Sequence, residues 1–164
     1  MKYLYSALFL MAAAVVVPAN DLVVSKEARK KNPTLKIRAW KGDKTLLARV
    51  KQDLIFSDWF TLTEAKAADY FLDGNGNVEG DAAAVTLELT GPQGKLQVAA
   101  KHTRPDWVVH GAVDKLIKGV FKNPGFCSTQ IAFVKTNNNN NKDVWLAQFD
   151  GSNATALTDN GTIS

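Results

Sequence analysis

The sequence predicts an α/β (α+β) sandwich, a mixed sheet carrying two main helices, with strand-and-turn sequence of a different kind behind it. Three observations carry that expectation. Stretches that alternate apolar and polar residues, as strands with one buried face do, are interleaved with stretches of helical period. The longest helical stretch places Val109, Val113, Leu116, Ile117 and Val120 on one apolar stripe, which needs a sheet to lie on. Beyond Pro124 and Gly125 the chain changes to two strand-like runs, 131–135 and 144–149, on either side of an asparagine-rich stretch at 137–141 that reads as a loop.

In chain order, Lys2 precedes an apolar run over 4–17 that is short for a membrane span, and Val17, Pro18 and Ala19 offer a small-residue cleavage site. Residues 1–19 therefore read as a secretory signal peptide cleaved near Ala19, which places the mature protein outside the cytoplasm with no membrane span after cleavage. An N-terminal extension over 20–33 follows, apolar at its start and a polar, basic connector from Ser25 to Pro33. Leu35, Ile37 and Ala39 alternate with Lys36 and Arg38 up to Trp40, a strand with one buried face. Gly42 and Asp43 end it and cap a helix with Leu46, Leu47, Val50 and Leu54 inward and Lys44, Arg49, Lys51 and Asp53 outward.

Ile55, Phe56, Trp59, Phe60 and Leu62 then form the densest aromatic cluster, read as core packing. A short helical segment is expected around 64–68, and a brief central strand at Tyr70, Phe71 and Leu72. The stretch 73–77, Asp-Gly-Asn-Gly-Asn, reads as a glycine-rich turn ending that strand. A calcium loop is excluded there, since the positions needing glycine and glutamate hold Val78 and Ala84. Val85, Leu87 and Leu89, the turn at 91–94, and Leu96, Val98 and Ala100 form a hairpin with one face in the core. Thr103, Pro105 and Asp106 start the long helix, and 122–125 stops it.

A chain of 164 residues, 46% hydrophobic and 22% charged, has room for one domain and a little more. Its net charge of +4 and pI near 9.2 arise from scattered lysines without interleaved aromatic residues, which argues against nucleic acid. The single cysteine, Cys127, permits no internal disulfide and reads as a small apolar filler near the domain junction. Phosphate-binding glycine loops and zinc spacings are absent, so no cofactor is expected. His110 and Asp114 stand one helical turn apart and are expected to meet in a structural hydrogen bond. No serine, cysteine or second metal ligand lies near them in sequence to make a catalytic or metal site.

These residues carry a family resemblance. The pattern of Asp53, Leu54, Ser57 and Phe60, the run 68–74 through Asp69 to Gly74, the pair His110 and Asp114, and Ile131, Ala132, Phe133 and Val134 together resemble the N-terminal domain of the TolB family. The interval from His110 to Ile131 is similar without a gap, and Asp150 and Gly151 fall where the family's first propeller blade turns. The resemblance implies an anticodon-binding-domain-like α/β domain over 34–126, not used for RNA, followed by the start of a β-propeller over 131–164. It further implies a periplasmic, non-catalytic protein of the Tol-Pal envelope system, concerned with outer-membrane integrity and cell division. A TolA-like partner would meet the N-terminal extension, where Asp21, Leu22, Val23, Val24 and Ser25 are candidate contacts, and a Pal-like partner would need the propeller. Since isolated repeat strands are unstable, the chain is expected to be a fragment of a longer protein. The alternatives are the N-terminal part of an exported propeller-fused peptidase and a free-standing envelope accessory domain.

Overall fold

The computed structural model describes residues 31–136 and 142–158, so the expected signal peptide, the candidate contacts Asp21 to Ser25 and the loop at 137–141 lie outside the described residues. Strands β1 (Thr34–Gly42), β2 (Thr61–Leu62), β3 (Tyr70–Glu79), β4 (Ala82–Gly91) and β5 (Gly94–His102) form one sheet in the order β2-β1-β3-β4-β5. Strand β1 runs parallel to both β2 and β3, whereas β4 is antiparallel to both β3 and β5, so the sheet is mixed as expected. Helices α1 (Lys44–Phe56) and α2 (Pro105–Phe121) pack against each other and on one face of it. Strands β6 (Gln130–Thr136), β7 (Lys142–Gln148) and β8 (Thr155–Ala156) make a second, antiparallel sheet in that order.

The periodicities explain the core. Along β4, Ala83, Val85, Leu87 and Leu89 are buried while the residues between them face the other side. Val109, Ala112, Val113, Leu116 and Ile117 of α2 are fully buried against the sheet and α1, each larger side chain stabilising the fold by about 1.5–3 kcal/mol relative to exposure. Helix α1 begins at Asp43, whose carboxylate accepts from the Thr45 hydroxyl and from the amides of Thr45 and Leu46, which lowers the Asp43 pKa. Helix α2 begins differently from the expectation. Its N-cap is Arg104 with no side-chain cap, and the Thr103 hydroxyl has no part in it. It ends at Lys122 in the left-handed conformation, with φ 61°.

Three local expectations are corrected. Residues 64–68 form no helix: the carbonyls of Glu64 and Ala65 accept from Lys36 Nζ, and the Ala65 amide bonds Thr63 Oγ1, so the backbone groups a helical turn would use are engaged elsewhere. Ile55 and Phe56 are not core but 57% and 52% exposed, because α1 turns them away from the sheet; Phe60 is the buried member, edge-on to Tyr70 and beside Phe121. The stretch 73–77 does not end β3 but runs through its middle, paired with β4 throughout and with β1 as far as Gly76.

Trp40 explains why that stretch needs its glycines. The register of β1 shifts between Ile37 and Ala39, and the Trp40 ring then lies over Gly74 and Gly76 while its Nε1 donates 2.8 Å to the Asp43 carbonyl. A Cβ at Gly74 would overlap the ring, and one at Gly76 would come within 2.7 Å of Trp40 Cζ2. The glycines thus make room for a side chain rather than for a turn.

Gly74→Ala is expected to lower stability by about 1–3 kcal/mol in urea unfolding, as overpacking does. In a Trp40→Leu background the same change should cost clearly less; an equal cost in both backgrounds would show that the ring does not set the requirement.

Candidate functional site

The most organised group of polar side chains lies where the two helices meet the end of β7. Asp53 belongs to α1, Asp106 and His110 to α2, and Gln148 to β7, and all four are buried. The expectation that Asp53 lies on the outer face of α1 is corrected. It is 1% exposed, because it stands three residues after Val50 and seven after Leu46, on the same stripe. An ionisable group on that stripe requires a partner, and α2 supplies it.

His110 Nδ1 lies 2.7 Å from Asp53 Oδ2, and its Nε2 lies 2.9 Å from Gln148 Oε1. The Gln148 Nε2 donates to Asp106 Oδ2, which fixes the orientation of the amide: turned over, it would set its oxygen against a carboxylate. Asp106 Oδ2 also accepts from Asn153 Nδ2 at 2.7 Å and Arg104 Nη2 at 3.3 Å, and Ser152 Oγ donates 2.9 Å to Gln148 Oε1. The imidazole therefore faces an oxygen acceptor on each nitrogen, and the form that satisfies both is the doubly protonated one. Phe149 packs edge-on to the ring at 5.1 Å between centroids.

The electrostatics agree with that proton inventory. Burial alone lowers the His110 pKa, but the hydrogen bonds to Asp53 and Gln148 and the charge of Asp53 outweigh it, and the net shift is upward. Burial lifts Asp53 above the usual carboxylate range, with His110 only partly offsetting it. Asp106 is also pushed up by burial, yet the Gln148 bond, its own amide and Arg104 bring it below the usual range.

The expected partnership of His110 with Asp114 is corrected. Both carboxylate oxygens of Asp114 are taken by the connector after α2, accepting from the amides of Cys127 at 2.7 Å and Ser128 at 2.8 Å. The chain at Gly125 passes so close to Asp114 that a Cβ there would overlap its carboxylate. Cys127 itself is fully buried, and burial pushes its thiol pKa up. Sequence spacing points to the nearest acid on the same helix; the actual partners are 57 positions upstream and 38 downstream. Gln148 has no signal in the sequence beyond its place at the end of a strand.

Chemically, the arrangement holds protons. The donor atoms of Asp53, His110 and Asp150 all lie within 4.8 Å of one another, but the ring nitrogens are already directed at Asp53 and Gln148 rather than at open space. No hydroxyl or thiol among the described residues is placed for attack with His110 as its base, since the second nitrogen that a base would use bonds an amide oxygen. A cleft of about 390 Å³ borders this junction, lined by its Asp106 and Gln148 together with Arg49, Arg104, Gln130 and Asn153 among others.

No family model matches the sequence, and no curated protein matches it either. Among solved structures, the chain is similar to TolB from Acinetobacter baumannii, with a TM-score of 0.70 and 19% identity over 82% of this chain and 40% of that one. The TolB likeness read from the sequence is thus found again in the fold, and the chain spans about two fifths of the length of that TolB. Smaller proteins align less well: the N-terminal domain of Protein Y from Thermus thermophilus, with 16% identity over 53% of this chain and 97% of that one, has a TM-score of 0.41. A ribosomal subunit interface protein from Coxiella burnetii, with 11% identity over 53% of this chain and 94% of that one, has a TM-score of 0.40.

Replacing His110 by Ala should lower stability by about 3–5 kcal/mol in urea unfolding, because it strands a buried carboxylate. Asp114→Asn should leave the His110 titration, followed by NMR, where it was; a shift comparable to that caused by Asp53→Asn would restore the pairing along the helix.

Proposed function

We propose that this chain is the N-terminal part of a periplasmic, non-catalytic protein-interaction module of the TolB kind, serving the Tol-Pal envelope system. The observation that carries the reading is the pairing of two unlike parts, a mixed α/β layer and an antiparallel sheet joined through a short connector, in an arrangement similar to TolB over 82% of the chain. A non-catalytic role is supported by the junction, whose histidine is engaged on both nitrogens. Among the described residues no helix is long and apolar enough to cross a membrane.

In this reading the domain spans 34–126 and the sheet of β6, β7 and β8 begins the first propeller blade. Both faces of that sheet carry exposed apolar side chains. Ile131 and Phe133 share one face and Val134 lies on the other, as suits a blade covered by neighbouring repeats. A Pal-like partner belongs to the completed propeller. The extension 20–33, released by signal cleavage near Ala19, meets the fold where Asn32 Nδ2 donates to Asp58 and the Thr34 amide and hydroxyl donate to Asp69. In this reading Asp21, Leu22, Val23, Val24 and Ser25, which precede that anchorage in sequence, add a strand to a TolA-like partner.

Deleting residues 20–25 from the mature protein should abolish binding to a TolA-like domain in a calorimetric titration while shifting the thermal midpoint little. Undiminished affinity in the deletion would overturn the assignment of that contact.

A further inference from the structure

The junction is built from one hydrogen-bond chain that joins α1, α2 and β7, and its central link depends on a proton. Asp53 and Gln148 Oε1 are both acceptors, and Asp106 prevents Gln148 from presenting its amide nitrogen instead. A neutral imidazole has one N–H, so it can serve Asp53 or Gln148 but not both. The carboxylate is the stronger acceptor, so the bond given up is the one to β7. The hydroxyl of Ser152 keeps Gln148 Oε1 partly satisfied, but that bond lies within the β7–β8 connection and holds nothing to α2.

We propose that the proton on His110 is a clamp that fastens the sheet of β6, β7 and β8 to the helix layer, and that losing this proton loosens the sheet. Asp53 on α1 and Asp150 just after β7 act on the ring itself, while Asp106, paired with Arg104 at the start of α2, reaches it only through Gln148. Asp114, farther along α2, acts on Asp53, and Cys127 in the connector is held as a neutral thiol by burial. Both acids that act on the ring itself, Asp53 and Asp150, favour its protonated form, and Arg104 is paired with Asp106.

The direction with pH follows from linkage. His110 binds its proton more firmly in the fold than in the unfolded chain, so the stabilisation is complete below about 6.5, the unfolded value, and is lost as pH rises through the higher folded value. The Asp106 arm works in the opposite sense and weakens only when pH falls through its depressed value, well below that window. The His110 link therefore closes under mildly acidic conditions and opens under alkaline ones, while the bonds of Gln148 and Asn153 to Asp106 stay made. A compartment whose pH follows the surroundings would work it directly.

Hydrogen exchange of the full chain, followed by mass spectrometry from about pH 6 to about pH 9, tests this. After correction for the intrinsic pH dependence, amides of 142–158 should exchange about tenfold faster at the alkaline end, while those of β3 and β4 change little. The midpoint should coincide with the His110 titration seen by NMR, and Asp53→Asn should move both downward together. Gln148→Leu, which removes the acceptor on β7, should abolish the step while leaving the core of the α/β layer protected. A step that persists unchanged in Gln148→Leu, no step at all in the wild type, or a midpoint that does not follow Asp53→Asn would each overturn the proposal.

Discussion

A buried carboxylate is the constraint from which much of the arrangement follows. Asp53 sits on the apolar stripe of α1, and a charge there is tolerated only with a hydrogen-bonding partner of complementary charge. His110 is that partner, which fixes α2 alongside α1 in one register. The second ring nitrogen then requires an acceptor, and Gln148 of β7 supplies it at 2.9 Å. One polar side chain on the first helix thus determines how the second helix and the second sheet meet it. Apolar packing supplies most of the free energy of folding, but it is non-directional; the hydrogen-bond chain selects one way of docking the parts.

A second constraint is steric and acts inside the sheet. Trp40 brings a large ring onto the helix face of β1 just after a register shift, and its neighbours on β3 must lack side chains to receive it. The same ring bonds the Asp43 carbonyl, so the strand, the α1 cap and the central strand are linked by one residue. Among the described residues no helix covers the opposite face of the sheet, which carries polar and charged groups. There Arg38 pairs with Asp73 and lies over Phe71, and Lys95 pairs with Glu88. Such exposed pairs contribute little to stability and leave that face free of large apolar area.

At the junction the α/β layer and the second sheet are coupled by side chains as well as by the connector. The hydrogen-bond chain through His110 has two states by construction, and one of its members is a strand of the second sheet. Asp114 acts apart from that chain. By accepting from the amides of Cys127 and Ser128 it holds the connector at a fixed distance from α2, so that β6 and β7 begin in a defined place.

Elements with a full period of buried residues are legible in the sequence alone. The β4–β5 hairpin, α1 and its Asp43 cap and the stripe of α2 follow from apolar spacing and turn residues, because local periodicity reports which face is buried, whereas β6, exposed throughout, and β7 are legible from their β-branched and aromatic runs. Asp53 is legible in principle as well, for its position relative to Leu46 and Val50 places it inside, although its charge suggests the outer face. The glycines at 74 and 76 are ambiguous, since glycine marks both a turn and a close approach, and only the Trp40 ring across the strand pair distinguishes them. The partners of His110 are not accessible to sequence spacing at all. Hydrogen bonds across 57 and 38 positions depend on where the sheet and connector bring distant backbone, and tertiary structure alone decides that.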